Sequence, residues 1–316
     1  MYRVILFFLF FILLNQCSDS EPKSQFIDPE TSKEIKDYDL LIWSDEFNDF
    51  NLNLEKWDIE ETPDLRNVGG NHELQYYVDN PSNIFIYKDN EMNSSLCITA
   101  INMYGEYCTS GKITTLDKFH FKYGRVQARI KAPYGAGVWP AFWALGVNTR
   151  IQGKGWPLSG EIDIMELWGD KEEQNFSTSE LYGTIHYGNK WPNNKFSGPT
   201  TRKIHEKIIA NFGLDYHIYE MNWTPDEISW SVDGYPYGSV KKESWYTSIS
   251  EDEYAPFNDN FYLILNVAIG GGSFYDKIKD EELINILSGK DYKSKLKVID
   301  FNNSTMYVDW VRVFSN

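Results

Sequence analysis

The chain has 316 residues and a formal net charge of −16, long enough for one large β domain or two average ones. A field of that sign repels phosphate-rich partners, which argues against nucleic-acid binding and leaves an uncharged ligand unaffected. Aromatic residues make up 16% of the sequence, with 11 Trp and 21 Tyr, so flat ring faces are available both for core packing and for stacking a ligand.

Taken in chain order, the first element is a targeting segment. Arg3 precedes an unbroken apolar run from Val4 to Leu14, too short to span a bilayer and of the length of a signal-peptide core. The run ends at Cys17, which suggests a bacterial lipoprotein signal with Cys17 as the lipidated residue; Leu14 fits such a signal and Gln16 departs from it. Residues 1–17 are therefore read as signal peptide. Residues 18–39 are polar, charged and without apolar periodicity, as expected of a flexible tether. The globular domain is expected over 40–316.

From Leu41 onward, short β-branched and aromatic segments alternate with Gly, Asn, Asp and Pro, the signature of strands. Examples are "SLCITAI", "YGRVQARIKA", "WPAFWALG" and "MYVDWVRVF". "ISWSVDGYPYGSV" predicts a hairpin turning at Asp233-Gly234. Helical periodicity is convincing only over 280–290. Many short strands without βαβ alternation predict one all-β antiparallel sandwich. Cys97 and Cys108 lie in "CITAINMYGEYC", where an exported chain permits a disulfide and two buried thiols fit equally well.

The stretch "GEIDIMELWG" sets Glu161, Asp163 and Glu166 in an apolar run. On a helix the two glutamates would stand about 140° apart around the axis. On a strand Glu161 and Asp163 share a face, and Glu166 would point the other way. One extra residue in a bulge around Ile164-Met165 would bring all three onto one face, and bulges concentrate beside active sites. Retaining glycoside hydrolysis wants two carboxyl groups about 5–5.5 Å apart, a gap that two glutamates leaning inward could close. Crowding the acids raises at least one pKa, as a general acid at neutral pH requires. A solvated acidic strand or a calcium site would show the same three acids. Trp139, Trp143 and Trp156 nearby favour a sugar chain, whose ring faces stack and whose hydroxyls need polar edges.

With these residues in view, the sequence resembles glycoside hydrolase family 16, and within it the laminarinase-like endo-β-1,3-glucanases. The resemblance runs from Leu41 to Phe314 through "EIDIME", "NHELQYY", "YGRVQARIKAPYGAGVWPAFWALG", "GTIHYG" and "LILNVAIGGG". It implies a β-jelly-roll sandwich with a concave substrate cleft. It also implies Glu161 as nucleophile, Asp163 as assisting acid and Glu166 as acid/base. Trp139, Trp143 and Trp156 match positions lining glucose subsites; Asn71, Arg125 and His186 match polar cleft positions. For Asn71 and His186 a structural turn or core role stays open, and for Arg125 a structural ion pair. Glu73 and Gln75 alternate on one strand and could touch sugar. A structural calcium ion is implied at Asp309, with Glu46 near the other contribution, while catalysis needs no cofactor. After "AIGGG" the segment 273–303 departs from the family pattern and is either an inert insertion or a reshaped end of the cleft.

The expected function is hydrolysis of β-1,3-glucan with retention, by a monomeric enzyme exported to the bacterial outer membrane or cell surface and touching membrane only through its anchor. Mixed-linkage β-1,3-1,4-glucan or a sulfated galactan is the alternative polymer, and few cations near the acids disfavour the sulfated one. The extra residue of E-x-D-x-x-E separates the chain from transglycosylases with E-x-D-x-E. A non-catalytic glucan-binding lipoprotein is disfavoured because both glutamates are present.

Overall fold

The computed structural model describes residues 40–62, 71–89, 93–169, 180–205, 208–209, 212–271 and 291–315. The signal segment with Cys17, the tether, the helix expected at 280–290 and most of the unusual segment 273–303 lie outside the described residues. A short helix, Tyr292–Leu296, follows, and Asp291 caps its start.

Two eight-stranded sheets pack face to face. One runs, edge to edge, through Asn194–Ser197, Leu181–Gly188, Glu161–Leu167, Val138–Gly146, Phe261–Ile269, Lys112–Thr114 and Asp58–Ile59, with Thr200–Thr201 added beside Leu181–Gly188. The opposing sheet runs through Tyr235–Lys241, Glu227–Val232, His217–Trp223, Gly124–Lys131, Thr305–Phe314, Ser94–Thr99 and Ile84–Lys88, and Leu41–Asp45 joins it on Thr305–Phe314. Pairing within both is antiparallel, as the strand pattern predicts; Gln75–Tyr77 beside Tyr107–Ser110, in a small separate sheet, is parallel. The expected hairpin is present. Val232 pairs with Tyr235 around Asp233-Gly234, both at positive φ, which suits the twist of the flanking strands.

Alternation decides what each strand buries. In Gly124–Lys131, Val126, Ala128 and Ile130 enter the core while Arg125, Gln127, Arg129 and Lys131 face outward. In Val138–Gly146, Val138, Phe142 and Ala144 are interior while Trp139, Trp143 and Leu145 stand on the outer face. Phe261–Ile269 is buried on both faces, because Leu116 and Trp143 pack over Tyr262 and Ile264 outside the main core. Cys97 and Cys108 are separate, buried free thiols, which settles the alternative left open by their spacing, and burial pushes both up to about 12.

The strand Glu161–Leu167 carries the bulge. Against its neighbour, Glu161, Asp163 and Glu166 lie opposite Leu145, Trp143 and Ala141, three positions spaced evenly by two. On the other side Asp163 pairs with Thr184 and Glu166 with Tyr182. The chain therefore fits one extra residue between the second and third acids, with Ile164 and Met165 both buried. Such a bulge interrupts the ladder. Here the carbonyl of Asp163 accepts a hydrogen bond from the Trp230 indole at 2.8 Å, reaching across from the opposing sheet. Gly183 makes room for that ring; a Cβ there would lie 2.5 Å from Trp230 Cδ1.

This contact predicts a stability change. Trp230→Phe leaves a buried carbonyl unpaired, a cost of about 1–3 kcal/mol, and Gly183→Ala overpacks the same spot by about 1–3 kcal/mol. Both variants should unfold at lower denaturant than the wild type. Unchanged midpoints would mean that the indole does not support the bulge.

Candidate active site

The three acids lie on the face turned away from the core and are nevertheless nearly enclosed. Asp163 and Glu166 are buried and the Glu161 side chain is 14% exposed. Aromatic side chains around them supply the cover. Trp139 Nε1 donates to Glu166 Oε1 at 2.9 Å, and the Trp156 indole donates to Glu161. Each glutamate is thus held by one indole N–H. Trp139 is in turn backed by Trp168, with ring centroids 5.7 Å apart, and Trp168 meets Tyr182 edge-on at 4.5 Å. A Cβ on Gly271 would strike the Trp139 ring at 2.4 Å, so this glycine lets the chain pass against the ring.

His186, on Leu181–Gly188, pairs directly with Glu161 in the strand register. Its Nε2 lies 3.3 Å from Asp163 Oδ2 and 3.6 Å from Glu161 Oε1. His186 is therefore part of the cluster rather than a core residue elsewhere. Two carboxylates and an imidazole within 4.8 Å of one another could also hold a cation, but an ion there would take the oxygens that face the cleft.

Burial raises all three carboxyl groups to about 8. For Glu161, Asp163 adds repulsion, which His186 offsets, and Trp156 also favours the charged form. For Glu166, Asp163 adds repulsion, opposed by His186 and by the Trp139 hydrogen bond, and Glu73 raises it further. Groups this close share their protons as a set. Near neutral pH the cluster therefore holds most of its carboxyl protons.

Trp143 stands opposite Asp163 on the same face, its indole donating to Asn266 Oδ1 at 2.7 Å, and Asn266 donates to the Tyr77 hydroxyl at 3.0 Å. Lys112 lies over both rings, 5.4 Å from Trp143 and 5.8 Å from Tyr77, and pairs with Glu60 at 2.9 Å. Lys112, Tyr77 and Asn266 escaped the sequence reading. The alternation in "NHELQYY" already put Tyr77 on the Glu73 and Gln75 face. Gln75 is buried and structural, its amide donating to Glu73 and accepting from the Ile269 N–H. Asn71 sits exposed on the preceding turn, and among the described residues nothing ties its side chain to the acids.

Two expectations are corrected. Arg125 is not in the cleft: it lies on the outer face of the opposing sheet, 3.5 Å from Glu220 and stacked over Phe314 at 4.1 Å. Its neighbour Val126 points into the core, so the Arg125 side chain points out, and that sheet does not carry the acids. The acids implied for calcium, Glu46 and Asp309, do not fit that ion as arranged. Arg312 donates to both Glu46 oxygens at 3.0 and 2.8 Å, and Arg129 reaches Asp309 at 2.6 Å. Guanidinium groups hold the oxygens a hard cation would need.

Residues 71–271 match the family model described as glycosyl hydrolases family 16. The glucan endo-1,3-beta-glucosidase A1 of Niallia circulans is 37% identical over 286 residues, covering 87% of this chain; the chain spans only 37% of that relative's length. The glucan endo-1,3-beta-glucosidase of Cryptopygus antarcticus is 33% identical, with 74% of this chain and 82% of the relative covered. Among solved structures, the laminarinase from Rhodothermus marinus superposes with a TM-score of 0.65 at 28% identity, covering 88% of this chain and 98% of that one. With the family motif on a bulged strand of a two-sheet sandwich, the chain belongs to glycosyl hydrolases family 16 and has its antiparallel β-jelly-roll fold.

Proposed function

We propose that the chain is a retaining endo-glycosidase that hydrolyses laminarin-type β-1,3-glucan through a covalent glycosyl-enzyme intermediate. The observation that carries this reading is the bulge, which puts Glu161 and Glu166 on one face with Asp163 between them. Glu161 attacks the anomeric carbon as the leaving oxygen takes a proton from Glu166. Glu166, now ionised, then deprotonates the water that releases the sugar. Around Glu161, Asp163 opposes ionisation and His186 favours it, and the reaction uses the form in which Glu161 is ionised while Glu166 keeps its proton. Trp139 and Trp156 fix the two carboxyl groups through their indole N–H groups and offer ring faces to sugar, and Trp143 and Tyr77 extend the platform.

The choice of β-1,3-glucan rests on the two relatives named for that linkage and on the absence of an uncompensated cation among the cleft residues described above. Lys112 is neutralised by Glu60, which suits a neutral polymer better than a sulfated one. A mixed-linkage β-1,3-1,4-glucan would be handled by the same chemistry. The reaction needs no cofactor, and calcium at Glu46 and Asp309 would have to displace two arginines. Export through residues 1–17 and a lipid on Cys17 would set a monomeric enzyme at the cell surface, where a polymer is met.

Alanine at Glu161 or Glu166 should cut laminarin turnover by about 10²–10⁴-fold, with glucan affinity kept in Glu166→Ala. On an aryl laminari-oligoside, azide should rescue Glu161→Ala to an α-glycosyl azide and Glu166→Ala to a β-glycosyl azide. Opposite products would exchange the two roles, and full activity in Glu161→Ala would remove the nucleophile.

The raised carboxyls also tie stability to pH. In the unfolded chain they lose protons near pH 4; in the folded chain they hold them to about 8. Their contribution is therefore fully present below about pH 4 and is lost as pH rises through about 8. Asp163→Asn removes one of the buried charges, so its melting temperature should exceed that of the wild type by several degrees above pH 8 and by less in acid. An equal difference at both pH values would contradict this electrostatic account.

A further inference from the structure

The outer face of the acidic sheet continues past the triplet to its edge strand, Asn194–Ser197. In register, Glu161 lies beside His186 and His186 beside Phe196. Phe196 therefore points to the same face as Glu161, two strand spacings or about 10 Å away. Its side chain is 70% exposed, an unfavourable place for a bare phenyl ring unless something covers it. The rings form a strip: Trp156 and His186 lie 5.7 Å apart, His186 and Phe196 5.9 Å, with interplanar angles of 45° and 38°.

The connection between the two strands adds to this edge. Trp191 on it is 70% exposed. Tyr246, 44% exposed, lies over Gly188, where a Cβ would come 3.3 Å from its hydroxyl, and Asn189 donates to that hydroxyl at 3.4 Å. Exposed ring faces beside amide and hydroxyl groups suit a pyranose, which has an apolar face and a polar rim. A second copy of the chain is a poorer occupant, because the edge strand is only four residues long, carries Lys195 and follows Lys190 on the connection.

We propose that Phe196 forms an outer glucosyl subsite, reached by β-glucan chains that extend from the catalytic glutamates across His186 to the edge of the sheet. The proposal deepens the glucanase reading and rests on it, since the sugar bound is another unit of the chain being cut.

The test is kcat/KM on β-1,3-gluco-oligosaccharides of increasing length for the wild type, Phe196→Ala and Phe196→Trp. The wild type should gain efficiency sharply once the oligosaccharide is long enough to reach the ring. In Phe196→Ala that gain should shrink about tenfold, equal to about 1.4 kcal/mol, and Phe196→Trp should restore it. The same loss at every length, or none at any length, overturns the subsite. A wild-type dimer that the alanine variant abolishes, with the length dependence intact, assigns the ring to self-association instead. Glucan affinity of Glu166→Ala with and without Phe196→Ala reads the platform apart from turnover. If the wild type cuts no β-glucan, the glucanase reading itself has failed, whereas cutting without a Phe196 effect sinks only the subsite.

Discussion

The site depends on one extra residue in the strand Glu161–Leu167. Without it, period-two alternation would send Glu166 into the apolar layer between the sheets, where an unpaired carboxylate is far too costly. With it, Ile164 and Met165 both go inward and the third acid comes out beside the first two. The bulge has a cost of its own, since it takes Asp163 out of the regular ladder. The Trp230 indole meets that carbonyl from the other sheet, and only a glycine at 183 lets the ring approach. The spacing of the carboxyl groups is thus coupled to how the two sheets pack, and not to the local strand alone.

Tryptophan has a double role in this arrangement. Indole N–H groups are donors without acceptor capacity, so Trp139 and Trp156 can stabilise a glutamate oxygen without competing for its proton. Their ring faces remain available to a sugar. The acids they hold are destabilising as a group, because burial and mutual repulsion oppose ionisation. The continuous core between the sheets, with Trp57, Trp223, Trp230 and Tyr219 fully buried, offsets that strain. Functional sites commonly carry such a cost while the rest of the fold compensates.

Much of this was legible in the sequence where the argument was local. Parity at 161, 163 and 166 required a bulge, and the bulge is there; Asp233-Gly234 required a tight hairpin turn, and it turns. "YGRVQARIKA" is legible as a strand, but nothing in it says which sheet the strand enters or which face meets a ligand. The resemblance implies a cleft position for Arg125, whereas its strand enters the other sheet, where it makes the structural ion pair that is its alternative reading. Calcium at Asp309 and Glu46 is implied only by the resemblance; the arginine partners of these two acids, Arg129 and Arg312, become neighbours only through strand pairing. Lys112, Tyr77 and Asn266 come from three separate segments that meet around Trp143, and no spacing in the chain brings them together. Phe196 escaped for the same reason: its importance lies in the register with His186.

The electrostatics of the cleft bear on what it can hold. A chain with net charge −16 would attract an anionic polymer only if its groove supplied free cations. Lys112, between Tyr77 and Trp143, is tied to Glu60, and Glu73 faces Glu166 on the same side. His186 lies against Glu161 and Asp163. A sulfate or uronate entering this groove would therefore meet carboxyl groups without a compensating charge, and would lose its hydration for little return. A neutral glucan would lose no ionic hydration, and its apolar ring faces would suit the rings of Trp143 and Trp156. The same low-charge, aromatic groove that raises the pKa of the acids thus also suits an uncharged polymer better than an anionic one.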